Sequence, residues 1–131
     1  MKYALLITCL LGLTADASAQ RQSRQTNNNL GYNDSTAKAT IYALYDSLQQ
    51  GKPFTALALK YSQDPGSYQV GGQLPPSTME DYVDEYKEAV LRLVPGELSR
   101  PFKSTFGYHL VQLVSRKDNV FVSRHILLRT D

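Results

Sequence analysis

The sequence contains no tryptophan, a single cysteine, two histidines and two methionines. Each scarcity closes off a chemistry. Cys9 lies within an apolar N-terminal leader, so a chain that has shed that leader has no disulfide, no thiolate nucleophile and no cysteine metal site. His109 and His125 are the only histidines, and there is no Gly-x-Ser-x-Gly elbow, so a hydrolase triad finds little support. A third close metal ligand is also missing, and no metal is expected. No phosphate-binding glycine loop occurs, and no cofactor is expected. The formal charge of +2 is spread thinly over several elements, with no dense basic run of the kind that binds nucleic acid. No apolar run reaches the roughly 20 residues needed to cross a bilayer as a helix, so no stable membrane span is expected.

What is present begins with that leader. Lys2, the apolar stretch 4–13 and the small residues Ala17, Ser18 and Ala19 before Gln20 read as a cleavable signal peptide over residues 1–19. The expected location is therefore the periplasm or cell envelope of a bacterium. Residues 20–33 are polar, rich in Asn and Gln and without periodicity, which predicts a disordered lead. About 100 residues remain, enough for one domain with a modest core. A composition of 42% hydrophobic and 20% charged residues places that domain among globular proteins rather than disordered ones.

The spacing of Ile41, Leu44, Tyr45 and Leu48 predicts a helix over 36–50, capped by Asp34 or Ser35 and stopped by Gly51. A short second helix carries Phe54, Leu57, Ala58 and Tyr61 on its apolar face and ends in the turn formed by Asp64, Pro65, Gly66 and Ser67. Two glycines and two prolines make 70–76 a loop. A third helix is expected over 82–93, capped by Thr78 or Asp81, with Tyr82, Tyr86, Val90 and Leu93 facing inward. Strands are expected over 98–103 and 108–114, and the β-rich run 120–128 is expected to fold back on the second of them as a hairpin turning near Lys117 and Asp118. That hairpin brings His109 and His125 into neighbouring positions. The class is α+β with a mainly antiparallel sheet.

Three ordered segments carry a more specific message. Phe54 to Ser67 (FTALALKYSQDPGS), Gly71-Gly72-Gln73-Leu74, and Val94 to His109 (VPGELSRPFKSTFGYH) together resemble, in order and spacing, the signature of parvulin-type peptidyl-prolyl isomerase domains of the exported chaperone-isomerase kind. The resemblance covers about 95 residues. It implies an FKBP-like superfold, a small antiparallel sheet flanked by helices, spanning 34–131. Family members begin with a strand bearing Arg-His-Ile-Leu. Here Arg124-His125-Ile126-Leu127-Leu128 comes after the last strand instead, as in a circular permutation. Two other readings stay open at this level: residues from Val120 onward begin a second module, or the strand is exchanged between copies in a swapped dimer. A monomer is expected.

The resemblance also implies a site. Asp64 stands at the family's polar catalytic position, and His109 and His125 at its two sheet histidines, which are taken to hydrogen-bond each other. Leu74, Tyr82 and Tyr86 stand at the apolar lining, and Ser104 and Phe106 at two further groove positions. Isomerisation of X-Pro bonds in unfolded or extended proline-containing polypeptides is the implied activity, with client binding without turnover as the alternative. Two departures bear on that choice. Tyr82 replaces a methionine and brings a hydroxyl that needs a partner, and Pro75 replaces a flexible loop glycine.

Overall fold

A computed structural model of the protein describes Asn28 and residues 31–130. The expected signal peptide lies outside these residues, as does most of the expected lead. Helix α1 (Asp34–Gln49) starts two residues earlier than its apolar spacing suggests. Its cap is Asn33, not Asp34 or Ser35: the Asn33 side chain accepts from the Thr36 amide at 2.8 Å while the Thr36 hydroxyl takes the Asn33 amide at 3.0 Å. This reciprocal pair satisfies two backbone donors at once, which a cap further along could not do without leaving Asn33 unused. Tyr32 and Asn33, assigned above to the lead, are thus part of the folded unit. Tyr32 also forms a parallel bridge with Thr130.

Helix α2 (Phe54–Tyr61) follows, with Phe54 and Ala58 buried. Short 3₁₀ turns occupy Tyr68–Val70 and Met79–Asp81. Helix α3 is shorter than expected, Asp84–Leu91. Thr78 and Asp81 do form a reciprocal cap, but they close the 3₁₀ turn. Tyr82 and Val83 are then extended, so Tyr82 precedes α3 instead of opening it.

The sheet is antiparallel with strands in the order β1 (Phe102–Ser104), β2 (Gly107–Lys117) and β3 (Val120–Arg129). The strand expected over 98–103 is interrupted. Residues 96–99 bond to β2 through Gly96 and Ser99 amides, and regular pairing resumes only at Phe102, past Pro101. Proline has no amide hydrogen to give a ladder. On the far side of β3, the glycine-proline loop supplies two isolated bridges, Gln73 to Arg124 and Ser77 to Phe121, so β3 has neighbours on both edges.

The β2–β3 hairpin turns at Asp118 and Asn119, one residue later than expected, with Lys117 opposite Val120. Asp118 adopts φ 55° there, a left-handed conformation that Asp tolerates better than most residues. A bulge at Val114 shifts the register, and beyond it Val111 faces His125 while His109 faces Leu127. The two histidines are therefore diagonal neighbours on one face.

Strand alternation splits the core in two. On one face Tyr108, Leu110, Ile126 and Leu128 pack with Ala37, Ile41, Leu44, Phe54 and Ala58 from α1 and α2. On the other, Val111, Leu113 and Phe121 pack with Tyr86, Val90 and Leu93 of and just beyond α3. Both histidines belong to the second face, which leaves them beneath α3.

Candidate active site

Asp64, Leu74, Tyr82, Tyr86, Phe106, His109 and His125, which come from α3, β2, β3 and the turns and loops between elements, line one groove of about 500 Å³. Asp64 arrives on the turn that ends α2, where its Oδ1 accepts from the Gly66 amide at 3.2 Å. Leu74 is fixed by its amide, which donates to Ser123 O of β3 at 2.9 Å. The loop reaches β3 this closely only because residue 72 is glycine: a Cβ there would lie 2.3 Å from His125 O. Phe106 sits at the β1–β2 turn, half exposed, and lines the groove from there.

The polar floor is a hydrogen-bonded carboxylate. His125 Nε2 donates to Asp64 Oδ2 at 2.7 Å, and the Ser67 hydroxyl donates to the same oxygen at 2.5 Å. The His125 bond, opposed by partial burial and aided by Ser67, holds the Asp64 carboxyl well below the usual carboxylate range. His109 is placed differently. It shares a hydrogen bond between its Nε2 and Ser104 Oγ at 2.6 Å, and Ser104 Oγ also accepts from the Phe106 amide at 3.1 Å. Burial, with His125 beside it, pushes His109 down to about 3, so it is neutral at ordinary pH.

The expected hydrogen bond between the two histidines is not formed. Their rings lie 6.1 Å apart and tilted by 24°, as their diagonal register dictates, and each Nε2 has its own partner elsewhere. Both Nδ1 atoms are buried without a partner among the described residues. Ser104 departs from expectation in the same way. It is buried behind His109 and does not line the groove.

Tyr86 organises the wall. Its ring stacks on Tyr82 at 4.6 Å and stands edge-on to both His109 and His125. Phe102, which sequence reasoning passed over, stacks flat on His109 at 4.9 Å and meets Tyr86 edge-on at 6.2 Å. The tyrosine hydroxyls are both accounted for: Tyr82 donates to Ser77 Oγ at 3.0 Å, and Tyr86 shares a 2.7 Å bond with Ser123 Oγ. Burial pushes the Tyr86 phenol well above its ordinary value.

Ser67, Ser77 and Ser123 were missed because a serine in a sequence does not announce which acid or phenol it will meet. Ser67 alone had a signal, the Asp-Pro-Gly-Ser turn, which places its hydroxyl three residues from Asp64. Arg129 and Asp81 also line the groove and had none. A second depression, of about 480 Å³ between α3 and residues 98–103, contains none of the expected site residues. Among the described residues, no group of three or more His, Cys, Asp or Glu side chains could hold a metal ion, and no helix is long and apolar enough to cross a membrane.

Comparison with known proteins places this geometry in a family. Residues 23–115 match the family described as Rotamase, the PPIC-type PPIASE domain. Foldase protein PrsA 4 of Bacillus cereus is 38% identical over 94 residues, covering 72% of this chain and 32% of that protein. Chaperone SurA of Pseudomonas fluorescens is 38% identical over 80 residues, covering 61% of this chain and 19% of that protein. A crystal structure of a peptidylprolyl isomerase (PrsA) from Bacillus cereus superposes with a TM-score of 0.60 at 40% identity, covering 62% of this chain and 31% of that one. The chain thus spans between about a fifth and a third of these relatives. The α+β architecture, with its three-stranded antiparallel sheet flanked by helices, is consistent with the parvulin-like fold, and the chain belongs to the parvulin-type peptidyl-prolyl isomerase family, as a domain homologous to the PrsA and SurA foldase-chaperones.

Proposed function

We propose that this protein is a peptidyl-prolyl cis-trans isomerase that turns X-Pro bonds of extended or unfolded clients in the groove between α3 and β3. The observation that carries the reading is the juxtaposition there of an ionised carboxylate, Asp64, with an apolar wall of Leu74, Tyr82, Tyr86 and Phe106. Amide resonance opposes rotation with a barrier of about 20 kcal/mol, and no bond is made or broken. As the amide twists, conjugation is lost, so its oxygen sheds negative character and its nitrogen becomes pyramidal. An apolar wall holds the proline ring and disfavours the polar planar forms, and a fixed negative charge beside the carbonyl acts in the same direction. His125 keeps Asp64 ionised and in place. His109 supports the floor as a neutral, packed ring, which suits a reaction with no net proton transfer.

A second reading, client binding with weak turnover, is favoured by one feature. Tyr82 lies stacked on Tyr86 where the resemblance implies a flexible methionine, which makes the wall stiffer. Relatives named foldase and chaperone fit either reading.

The chain order is read as a circular permutation. The family match ends at residue 115, before β3, and Tyr32 bridges Thr130, so the two ends of the described unit lie side by side. Joining 130 to 32 through a short linker and opening the chain at 118–119 is expected to yield a folded protein in the usual family order. A monomer exported by the leader 1–19, acting in the periplasm or envelope, completes the proposal. Mass analysis of the secreted N-terminus tests the leader.

The deciding experiment measures cis-to-trans rates of a panel of short X-Pro peptides, with Asp64→Ala alongside. Rates rising with protein concentration and falling in the variant support the isomerase. A folded protein that accelerates no peptide in the panel, yet binds unfolded clients, leaves the binding module.

A further inference from the structure

We infer that Ser67 is a positioning residue of the groove, whose hydroxyl selects which oxygen of the Asp64 carboxylate faces His125 and which faces the client. The inference rests on Asp64 being the polar residue of the site. Its physical basis lies in the carboxylate's own freedom. The last torsion of an aspartate is broad and close to two-fold, so a single donor such as His125 Nε2 can be served by either oxygen. A second donor on the same oxygen removes that choice. Oδ2 has two such donors, His125 Nε2 at 2.7 Å and Ser67 Oγ at 2.5 Å, and among the described residues Oδ1 has only the Gly66 amide at 3.2 Å. Oδ1 is therefore the oxygen with capacity left for a client.

Ser67 can act in this way because its own place does not depend on the carboxylate. It is 1% exposed. Its amide donates to Asp64 O at 3.2 Å, and its carbonyl accepts from the Val70 and Gly72 amides at 3.0 and 2.8 Å. Ser67 thus joins the Asp64 turn to the glycine loop that lies against β3, and only its hydroxyl is left to reach the side chain of Asp64. The titratable groups facing that carboxyl are His125 on β3, His109 on β2 and Tyr86 on α3, with Asp81 and Arg129 also lining the groove. None of them is altered by a change at Ser67.

The test compares Ser67→Ala and Ser67→Cys, the second of which keeps the volume and loses the strong donor, in the wild-type and Asp64→Asn backgrounds. Both single variants are expected to lower kcat/KM for X-Pro peptides about tenfold. Both should also raise the Asp64 carboxyl titration, followed by ¹³C NMR, by about one pH unit. In the Asp64→Asn background neither change should lower the rate further. Wild-type titration in Ser67→Cys, or an undiminished rate loss in the Asp64→Asn background, would assign Ser67 to packing and overturn the inference. If the wild-type protein turns over no peptide, the isomerase reading fails by itself. The carboxyl titration then decides the role of Ser67, and an unmoved titration rejects it.

Discussion

Replacing Gly72 with alanine tests the contact on which the groove depends. Gly72 holds φ 82°, and its carbonyl accepts from the His125 amide at 2.9 Å. For a residue with a Cβ, that left-handed backbone costs about 1–2 kcal/mol. The added carbon would also lie 2.3 Å from His125 O and 3.2 Å from Ala58 Cβ. One neighbour is the backbone of a strand paired on both edges and the other sits in α2, so neither can yield without moving an element, which adds roughly 1–3 kcal/mol. The total is about 3 kcal/mol, which lowers the melting temperature of a domain this size by on the order of 15 °C. Gly51 is the internal control. It has φ 98° and nothing within 4 Å of an added Cβ, so Gly51→Ala should show the backbone cost alone. Denaturation of both variants, followed by circular dichroism at two protein concentrations, gives the comparison. If β3 does not pack against this loop, the two substitutions cost the same. A difference below about 1 kcal/mol refutes the reasoning.

The neutral, buried His109 makes stability depend on pH. Its folded value of about 3 lies below that of an unfolded histidine, so the unfolded chain binds the proton first. Stability is then full above about pH 6.5 and falls by up to about 1.4 kcal/mol per pH unit below it, whereas the depressed Asp64 acts only below about pH 4. Denaturant midpoints measured between about pH 7 and 5 should decline in the wild type and flatten in His109→Gln. Ser123→Ala leaves the Tyr86 hydroxyl, on a side chain 2% exposed, without its partner, at a cost of about 1–3 kcal/mol. Tyr86→Phe in the same background should recover most of that loss, and a double-mutant cycle measures it. Tyr82→Met removes the stack on Tyr86 and the bond to Ser77, and should cost about 1 kcal/mol of stability while raising turnover on the peptide panel. Unchanged or lower turnover would mean that the tyrosine does not restrain the groove.

Helix positions were legible where apolar residues recur: Ile41 and Leu44 in α1, Phe54 and Ala58 in α2, Tyr86 and Val90 in α3 are buried as their spacing requires. Errors fell at ends and breaks. Asn33 won the cap of α1 through a bond that only folded geometry reveals, and Pro101 divided a strand that hydrophobicity alone would have run together. In the groove, Asp64, Leu74, Tyr82, Tyr86, Phe106 and both histidines were brought together, and Ser104 was set behind one of them.

The sequence by itself determined the family, through ordered motifs spread over much of the chain, and the alternation of side chains along each strand, whereas the register between β2 and β3 decided that His109 and His125 share one sheet face. Tertiary structure alone decided which polar atoms meet. The bulge at Val114 set the register that separates the histidine rings, and the approach of the glycine loop to β3 set Ser67 and His125 on one oxygen of Asp64. Those outcomes depend on shifts of one residue or one ångström between segments far apart in the chain. Hydrophobic pattern cannot encode such shifts, since apolar burial has no direction and a hydrogen bond does.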